Sequence, residues 1–514
     1  MHRTLDLLGS SALLCVLAAV LATSAAAEPL VDVEALRSMM ESLREENVQM
    51  RRQMDRMEDQ LTAAQEDARA ARTVARELDA RVHLPNVATE GPGVGEYPSQ
   101  AVWQRRMGRA TVQLLDLSVG VLAAAGGSNA SDDELAFLQA GGHDPNQRGF
   151  TLQQTELSFL GAVDPYFAGE VHLIYFLDRD GESQFEIEEA FVTTTRLPFE
   201  LEGLGFEFEI GHFFTEFGRL NPRHPHQWQW QDQPVVNSRF LGGDGMRAPG
   251  FRAGWLTPLP WYSEIHVGLQ NAKGETNPSF LASADVFDER PIGGRPFASS
   301  GVRGSDDLVH LARWVNGFDV SETVSTQIGV SGLWGPNATG SDGSTQIYGA
   351  DVVMKWRPLA TDHGWPFLVF EAEAMYRRYR ADDFAGCLEG DAGACEPGEA
   401  PIFLEDDVFR DWGGYAQLLW GFRRGWATGL RGEYVTGRGS GFDVASGAFV
   451  DRDADPFRST RYRVSPLLVF HPSEFSRLRL QYNYDGDANL PSNVAHSIWA
   501  GIEFSLGSHA AHTY

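Results

Sequence analysis

The residues of this sequence whose types and spacing could do chemistry are histidines set near carboxylates. His224 and His226 flank Pro225, with His212, Glu216 and Asp232 close by in the chain. Neutral imidazole is a borderline ligand that suits zinc, copper or nickel, and carboxylates complete such sites. Pro225 could aim the two rings apart, so the competing reading is surface histidines among loop prolines. A second pair, His509 and His512, lies in Gly507-Ser-His-Ala-Ala-His-Thr-Tyr514. On a helical turn the pair would share a face and a metal ion; in an extended tail it would not. Motifs for catalysis are missing: there is no Gly-x-Ser-x-Gly, no His-Glu-x-x-His and no phosphate-binding Gly-Lys-Ser/Thr. An enzyme is therefore not expected and no cofactor is required, with Zn²⁺ or Ca²⁺ entering only as a ligand.

The elements that must position these residues begin with an export signal. His2-Arg3, an apolar stretch from Leu7 to Ala22 and Ala25-Ala26-Ala27 ahead of Glu28 have the charged start, greasy middle and small-residue cleavage site of a secretory signal over 1–27. Leu14 stands before Cys15 where a lipoprotein needs a small residue, so lipidation is not expected. Cys387 and Cys395 remain, in Cys-Leu-Glu-Gly-Asp-Ala-Gly-Ala-Cys. In an oxidising compartment they read as a local loop disulfide, and a metal pair is the poorer alternative.

Residues 28–84 carry a coiled coil. Met40, Leu43, Asn47, Met50, Met54, Met57, Leu61, Ala64, Ala68, Ala71, Ala75, Leu78 and Val82 keep a 4-3 spacing, with Glu, Gln, Arg and Asp between them. Asn47 on a core position would fix register between parallel helices. Homo-oligomerisation follows, and a trimer would suit a porin; the alternative is a single helix lying on another surface. At about 1.5 Å per residue the rod would extend roughly 65 Å. Pro85 ends it, and 85–108 reads as linker.

From residue 109 onward the period changes to two. After the signal there is no run of eighteen apolar residues, and the mean hydropathy is −0.27, so no helix can span a bilayer. A barrel hides from hydropathy because its strands alternate faces. Leu478, Leu480, Tyr482 and Tyr484 alternate with Arg477, Arg479, Gln481 and Asn483. Strands are predicted near 110–123, 149–163, 166–178, 184–196, 204–215, 246–257, 261–272, 308–319, 322–335, 344–357, 366–380, 408–422, 425–437, 459–471, 474–485 and 495–507. Their connections alternate between tight turns, such as Val163-Asp-Pro-Tyr166 and His471-Pro-Ser-Glu474, and long polar excursions at 124–148, 216–245, 273–307, 381–407 and 438–458. Short periplasmic turns facing long outer loops are the plan of outer-membrane barrels. The fold class is thus an all-β transmembrane, antiparallel barrel of about sixteen strands over 109–514, preceded by a periplasmic coiled coil. A secreted soluble β-protein is the alternative.

The excursion 216–245 is rich in Trp, Gln and His. As the third outer loop it is expected to fold into the lumen and form the constriction, through Arg219, Arg223, Trp228, Trp230 and Asp232. Its positive residues Arg219, Arg223, Arg239 and Arg247 suit inward carboxylates such as Glu207 and Glu209. The formal charge of −28 argues against nucleic acid as a partner and for cations. Acidic runs at Asp132-Asp133-Glu134, Asp382-Asp383, Glu405-Asp406-Asp407 and Asp451, Asp453 and Asp455 would raise the cation concentration at a pore mouth. Solvated loop charge is the alternative, and Ca²⁺ binding there is open. The expected partners are outer-membrane lipid, further copies of the chain, and small hydrophilic solutes or metal ions.

Several stretches resemble one bacterial outer-membrane family, described as zinc-regulated outer-membrane receptors. They are Gly149-Phe-Thr-Leu-Gln-Gln-Thr-Glu-Leu157, Val163-Asp-Pro-Tyr166, Phe213-Phe-Thr-Glu-Phe-Gly-Arg-Leu-Asn-Pro-Arg-His-Pro-His226, Phe240-Leu-Gly-Gly-Asp-Gly245 and the Gly-x-His-x-x-His tail. The likeness covers most of 149–514. It implies zinc or another divalent metal, with His224, His226, His509 and His512 as the positions concerned. A TonB-dependent receptor would need about twenty-two strands and a plug, where this chain has a coiled coil. The order of coiled coil then barrel also resembles phosphate-selective porins, for which Arg477 and Arg479 would be the inward basic residues. A structural barrel that tethers the envelope through its coiled coil is the rival to any channel.

Overall fold

The computed structural model describes residues 103–107, 110–179, 181–298, 301–387, 401–443 and 447–507. The signal peptide, the coiled coil, most of the linker, Cys395, His509 and His512 lie outside these.

Sixteen long antiparallel strands close on themselves. They are β2 (Ala110–Ser128), β3 (Gly149–Ala162), β4 (Phe167–Leu177), β5 (Ser183–Thr194), β6 (Phe206–Phe214), β7 (Arg247–Leu256), β8 (Tyr262–Asn271), β9 (Leu308–Ser321), β10 (Val324–Pro336), β11 (Ser344–Trp356), β12 (Phe367–Ala381), β15 (Asp407–Arg423), β16 (Trp426–Arg438), β19 (Arg461–Ser473), β20 (Ser476–Asp487) and β21 (Val494–Gly507). Each pairs with its neighbour in sequence, and β21 pairs with β2 from Ser118↔Gly507 to Ser128↔Ser497, which closes the barrel. All sixteen fall on the predicted segments. A short strand, β1 (Trp103–Met107), pairs with the start of β2, so the predicted linker ends in sheet. Two small hairpins, β13 (Phe384–Gly386) with β14 (Ile402–Leu404) and β17 (Gly441–Asp443) with β18 (Ala448–Val450), decorate the long connections.

Burial is inverted relative to a water-soluble protein. Along β20, Arg477, Arg479, Gln481 and Asn483 are buried while Leu478, Leu480 and Tyr482 are exposed, Arg479 at 3% against Leu480 at 46%. Strand after strand repeats this, with Trp314, Ile328, Val330, Leu418, Trp420, Leu430, Ile498 and Ile502 on the outside. An apolar outer face around a polar interior is what a bilayer accommodates and what water does not.

The apolar core sits inside the lumen, and a loop builds it. Phe217, Val235, Val236, Phe240, Leu241 and Met246 pack against inward Val309, Leu311, Leu333, Ile347, Met375, Tyr415 and Val435. At the long-loop end, α1 (Asp132–Leu138) is started by a Ser131–Glu134 capping box, and α2 (Val235–Phe240) lies within the inward loop. A third short helix, α3 (Ala284–Glu289), belongs to the 272–307 connection. Cys387 is buried and disulfide-bonded.

Candidate functional site

The segment from Thr215 to Met246 leaves the wall and crosses the lumen. Its two ends are tied together: Asn221 donates to the carbonyls of Thr215 (2.7 Å) and Met246 (3.0 Å) and accepts from the Met246 amide (2.8 Å). Gly218 has φ +66°, and a Cβ there would lie 1.6 Å from Glu373 Oε1, so glycine lets the loop pass close to β12. Beyond it the loop meets strands on the far side. Trp230 Nε1 donates to Ser465 O (2.9 Å), its ring lies 5.5 Å from the Arg431 guanidinium, and Trp228 Nε1 donates back to Arg223 O (3.0 Å).

Asp232 is the far anchor. Its carboxylate accepts from Arg431, from Gln481 (2.8 Å), Asn483 (2.8 Å) and Arg463 (2.9 Å), and from Gln139 of the first long loop (3.3 Å). Burial would raise its pKa, but the Arg431 and Arg463 charges outweigh that and hold it below the usual carboxylate range. Asp144, also in the first loop, shows the opposite balance: burial and the nearby Asp232 charge push it up to about 7. It accepts from the amides of Gln233 (2.7 Å) and Gly141 (3.0 Å).

The loop arginines find partners other than those expected. Arg219 and Arg223 face Glu371 (3.4 and 3.5 Å), Arg247 pairs with Glu186 (2.8 Å) and Arg239 lies 3.6 Å from Asp487. Glu209 is held instead by Arg252 of β7 (2.8 Å), an inward arginine of the wall.

The proximal part of the loop brings histidines and carboxylates together. His224 Nδ1 lies 2.8 Å from Glu188 and its Nε2 2.9 Å from Glu189; His226 Nδ1 lies 2.9 Å from Glu156. From β4, His172 Nδ1 lies 3.2 Å from Glu156, and its ring stands 4.6 Å from that of His224. Pro225 does not splay its neighbours: the His224 and His226 rings stack at 24° with centroids 5.5 Å apart. Ligand atoms of Glu156, His172 and His224 all lie within 4.8 Å of one another, close enough that the three could turn onto one metal ion. Burial alone would lower the His224 pKa, but the charges of Glu156 and Glu188, with the hydrogen bonds to Glu188 and Glu189, raise it well above its ordinary value. The group therefore gathers positive charge at the focus of three carboxylates.

One predicted ligand, His212, stands apart. His212 on β6 pairs across the sheet with Ala190 and Pro249, on the parity of outward Phe208 and Ile210. Glu216 lines the same cavity as His172, His224 and His226, where Arg252 engages it (2.7 Å) and Arg313 approaches it (3.9 Å). Conversely, sequence reading missed Glu156, His172, Glu188 and Glu189. Alternation along β3 and β4 would have pointed Glu156 and His172 inward. Glu188 and Glu189 are adjacent, and both are buried because a bulge in β5, opposite His172/Leu173, breaks the alternation.

Glu156, His172, Glu189, His224 and His226 line a cavity of about 290 Å³ with Glu170, Glu216 and Arg252. A second cavity of about 770 Å³, at the short-turn end, is lined by Arg219, Arg223, Asp319, Gln327 and Lys355.

No family model matches the chain. An uncharacterized protein of Aquifex aeolicus (strain VF5) is 28% identical over 417 residues, 76% of this chain and 77% of that one. Among solved structures, the outer membrane channel DcaP of Acinetobacter baumannii covers 76% of this chain and 97% of its own (11% identity, TM-score 0.46). The anion-selective porin from Comamonas acidovorans covers 77% and 99% (8%, 0.42), and Pseudomonas putida OprB 76% and 94% (12%, 0.41). The barrel itself rests on its own strand pairing.

Proposed function

We propose that this protein is a porin-like channel of the outer membrane for small hydrophilic solutes, biased to cations and serving the uptake of a divalent metal such as zinc. The observation that carries the reading is the convergence of Glu156, Glu188 and Glu189 on His224, beside His172 and His226, along a cavity inside the barrel. Three buried carboxylates around one imidazole favour a cation over an anion, be it the proton His224 holds or a metal ion in its place. Imidazole with carboxylate is a donor set for zinc and its neighbours. The loop from Thr215 to Met246 supplies the constriction, with Arg219, Arg223, Trp228, Trp230 and Asp232 as its fixed points.

Other features support the same reading. The apolar outer face suits lipid, and acidic residues on the long connections draw cations toward that end. The inward arginines, which an anion or phosphate channel would use, are engaged within the chain: Arg431 and Arg463 by Asp232, Arg461 and Arg463 by Asp485, Arg477 and Arg479 by Glu503. Trimerisation through residues 28–84, held in the periplasm, completes the proposal.

The test is the reversal potential of the purified full-length protein in a planar bilayer under a KCl gradient. The expected sign is that of potassium selectivity, and a chloride-selective potential overturns the reading. A second reading, a structural barrel tethered through its coiled coil, draws on how fully the connections 129–148, 215–246 and 272–307 pack the long-loop half. Liposomes that do not swell in any small solute would favour it.

A further inference from the structure

The inward loop lines two cavities of opposite charge. Pro222 and His224 line the one of about 290 Å³, whose other lining residues include Glu156, Glu170, Glu189, Glu209 and Glu216. Arg223, between them in the chain, lines instead the cavity of about 770 Å³ at the short-turn end, together with Arg219 and with Lys355 of β11. Lys355 lies on the inward parity of Asp351 and Val353. The same three cations line an adjoining crevice of about 10 Å³, room for about one water, so they stand close together.

These cations are not neutralised as the inward arginines elsewhere are. Arg461 and Arg463 close on Asp485 at 2.7 and 2.8 Å. Glu371, by contrast, offers a single oxygen, Oε2, to both Arg219 Nε (3.4 Å) and Arg223 Nη1 (3.5 Å), while its Oε1 accepts from Tyr415 (3.0 Å) and Gln417 (3.1 Å). A charge-assisted N–H···O bond closes to about 2.7–2.9 Å, so two guanidinium groups share one oxygen at long range. Arg219 also donates to Gln327 (2.9 Å). Arg223 has no second side-chain acceptor, and the Lys355 ammonium has no hydrogen-bond or ion-pair partner among the described residues. None of their unused donors is sealed from the cavity. Across the two linings, three cations face two carboxylates, Glu371 and Asp319. Arg219 and Arg223 are each only 18% exposed, so water screens their charge incompletely.

We propose that Arg219, Arg223 and Lys355 form a binding site for a small oxyanion, a carboxylate or phosphate group, in the short-turn cavity. A guanidinium fork matches two oxygens of such a group, and the ammonium adds a point charge on a flexible stem. Gln327, whose oxygen is taken by Arg219, keeps its amide hydrogens for the same cavity. The site does not depend on the cation reading of the neighbouring cavity, whose ligands are different side chains.

The test is the broadening of the NMR signals of carbon-13 malonate and of inorganic phosphate by the full-length protein in detergent at pH 6, with the heat-dependent gel shift of a folded barrel as the check on each variant. Wild-type protein should broaden at least one signal, and the stronger effect identifies the preferred group. Lys355→Met and Arg223→Gln should each weaken the affinity about tenfold or more, the loss of one charge-assisted contact. Added KCl should weaken it as well. No broadening of either probe by the wild type, or wild-type affinity in both folded variants, overturns the site. Binding that is lost in His172→Ala/His224→Ala but kept in Lys355→Met would place the anion at the histidines and overturn it too.

Discussion

Replacing Asp232 by asparagine should undock the tip of the lumen loop while leaving the barrel closed. Asp232 is fully buried between Arg431 and Arg463, with Gln481, Asn483 and Gln139 also donating to it. Asparagine keeps the volume and one acceptor but turns an amide toward side chains that are themselves donors. Breaking a buried ion pair by removing one partner costs about 3–5 kcal/mol; the retained oxygen places this substitution near 3 kcal/mol. At about 1.4 kcal/mol per tenfold, the opening equilibrium of the tip rises roughly a hundredfold. Three amides report it, because each donates to a side chain outside the loop: Gln231 to Gln481 (2.8 Å), Gln233 to Asp144 (2.7 Å) and Val235 to Glu433 (2.7 Å). Hydrogen exchange at these amides should quicken by about that factor, with strand amides of β12 and β15 unchanged. Exchange at all three within threefold of wild type would refute the latch.

Trp230→Ala removes a buried indole that packs on Val353, Phe367, Val369, Leu419 and Leu467 and donates to Ser465. It should cost about 3–5 kcal/mol of loop docking, read by the same exchange at Gln231 and Gln233. Gly218→Ala places a Cβ against Glu373 at a left-handed φ, so the loop should shift and Arg219 should lose Glu371, seen as a changed single-channel conductance in a barrel of normal gel mobility. For pH, Asp144 titrates near 7 when docked but near 3.8 when free. The docked state then binds more protons between these values, so docking is strongest below about 4 and weakens as pH rises through about 7. Asp232, with its pKa depressed, stays charged across this window. Protection at Gly141 and Gln233, corrected for intrinsic exchange, should fall from pH 5 to pH 8, and Asp144→Asn should flatten that slope.

The strands were legible because their face alternation is a period-2 signal that lipid and lumen both impose. The end of β2 was not: Ala123-Ala-Ala-Gly-Gly127 carries no alternation, yet pairing with β21 continues to Ser128. The inward loop announced itself through Trp228, Trp230 and Asp232. Its partners were hidden because Glu371, Asp487 and Arg463 lie more than a hundred residues away, where only barrel closure brings them near. His224 and His226 could be suspected from residue type, and parity would have supplied Glu156 and His172. Glu188 needed the structure, because a bulge makes it face inward.

The most direct test of a cation path past the histidine cluster is the potassium current through single channels as Zn²⁺ is added. Wild-type current should be interrupted by Zn²⁺ dwelling at Glu156, His172 and His224, and His172→Ala/His224→Ala channels should lose those interruptions. Wild-type current unaffected by Zn²⁺, or equal block in the double variant, would contradict it.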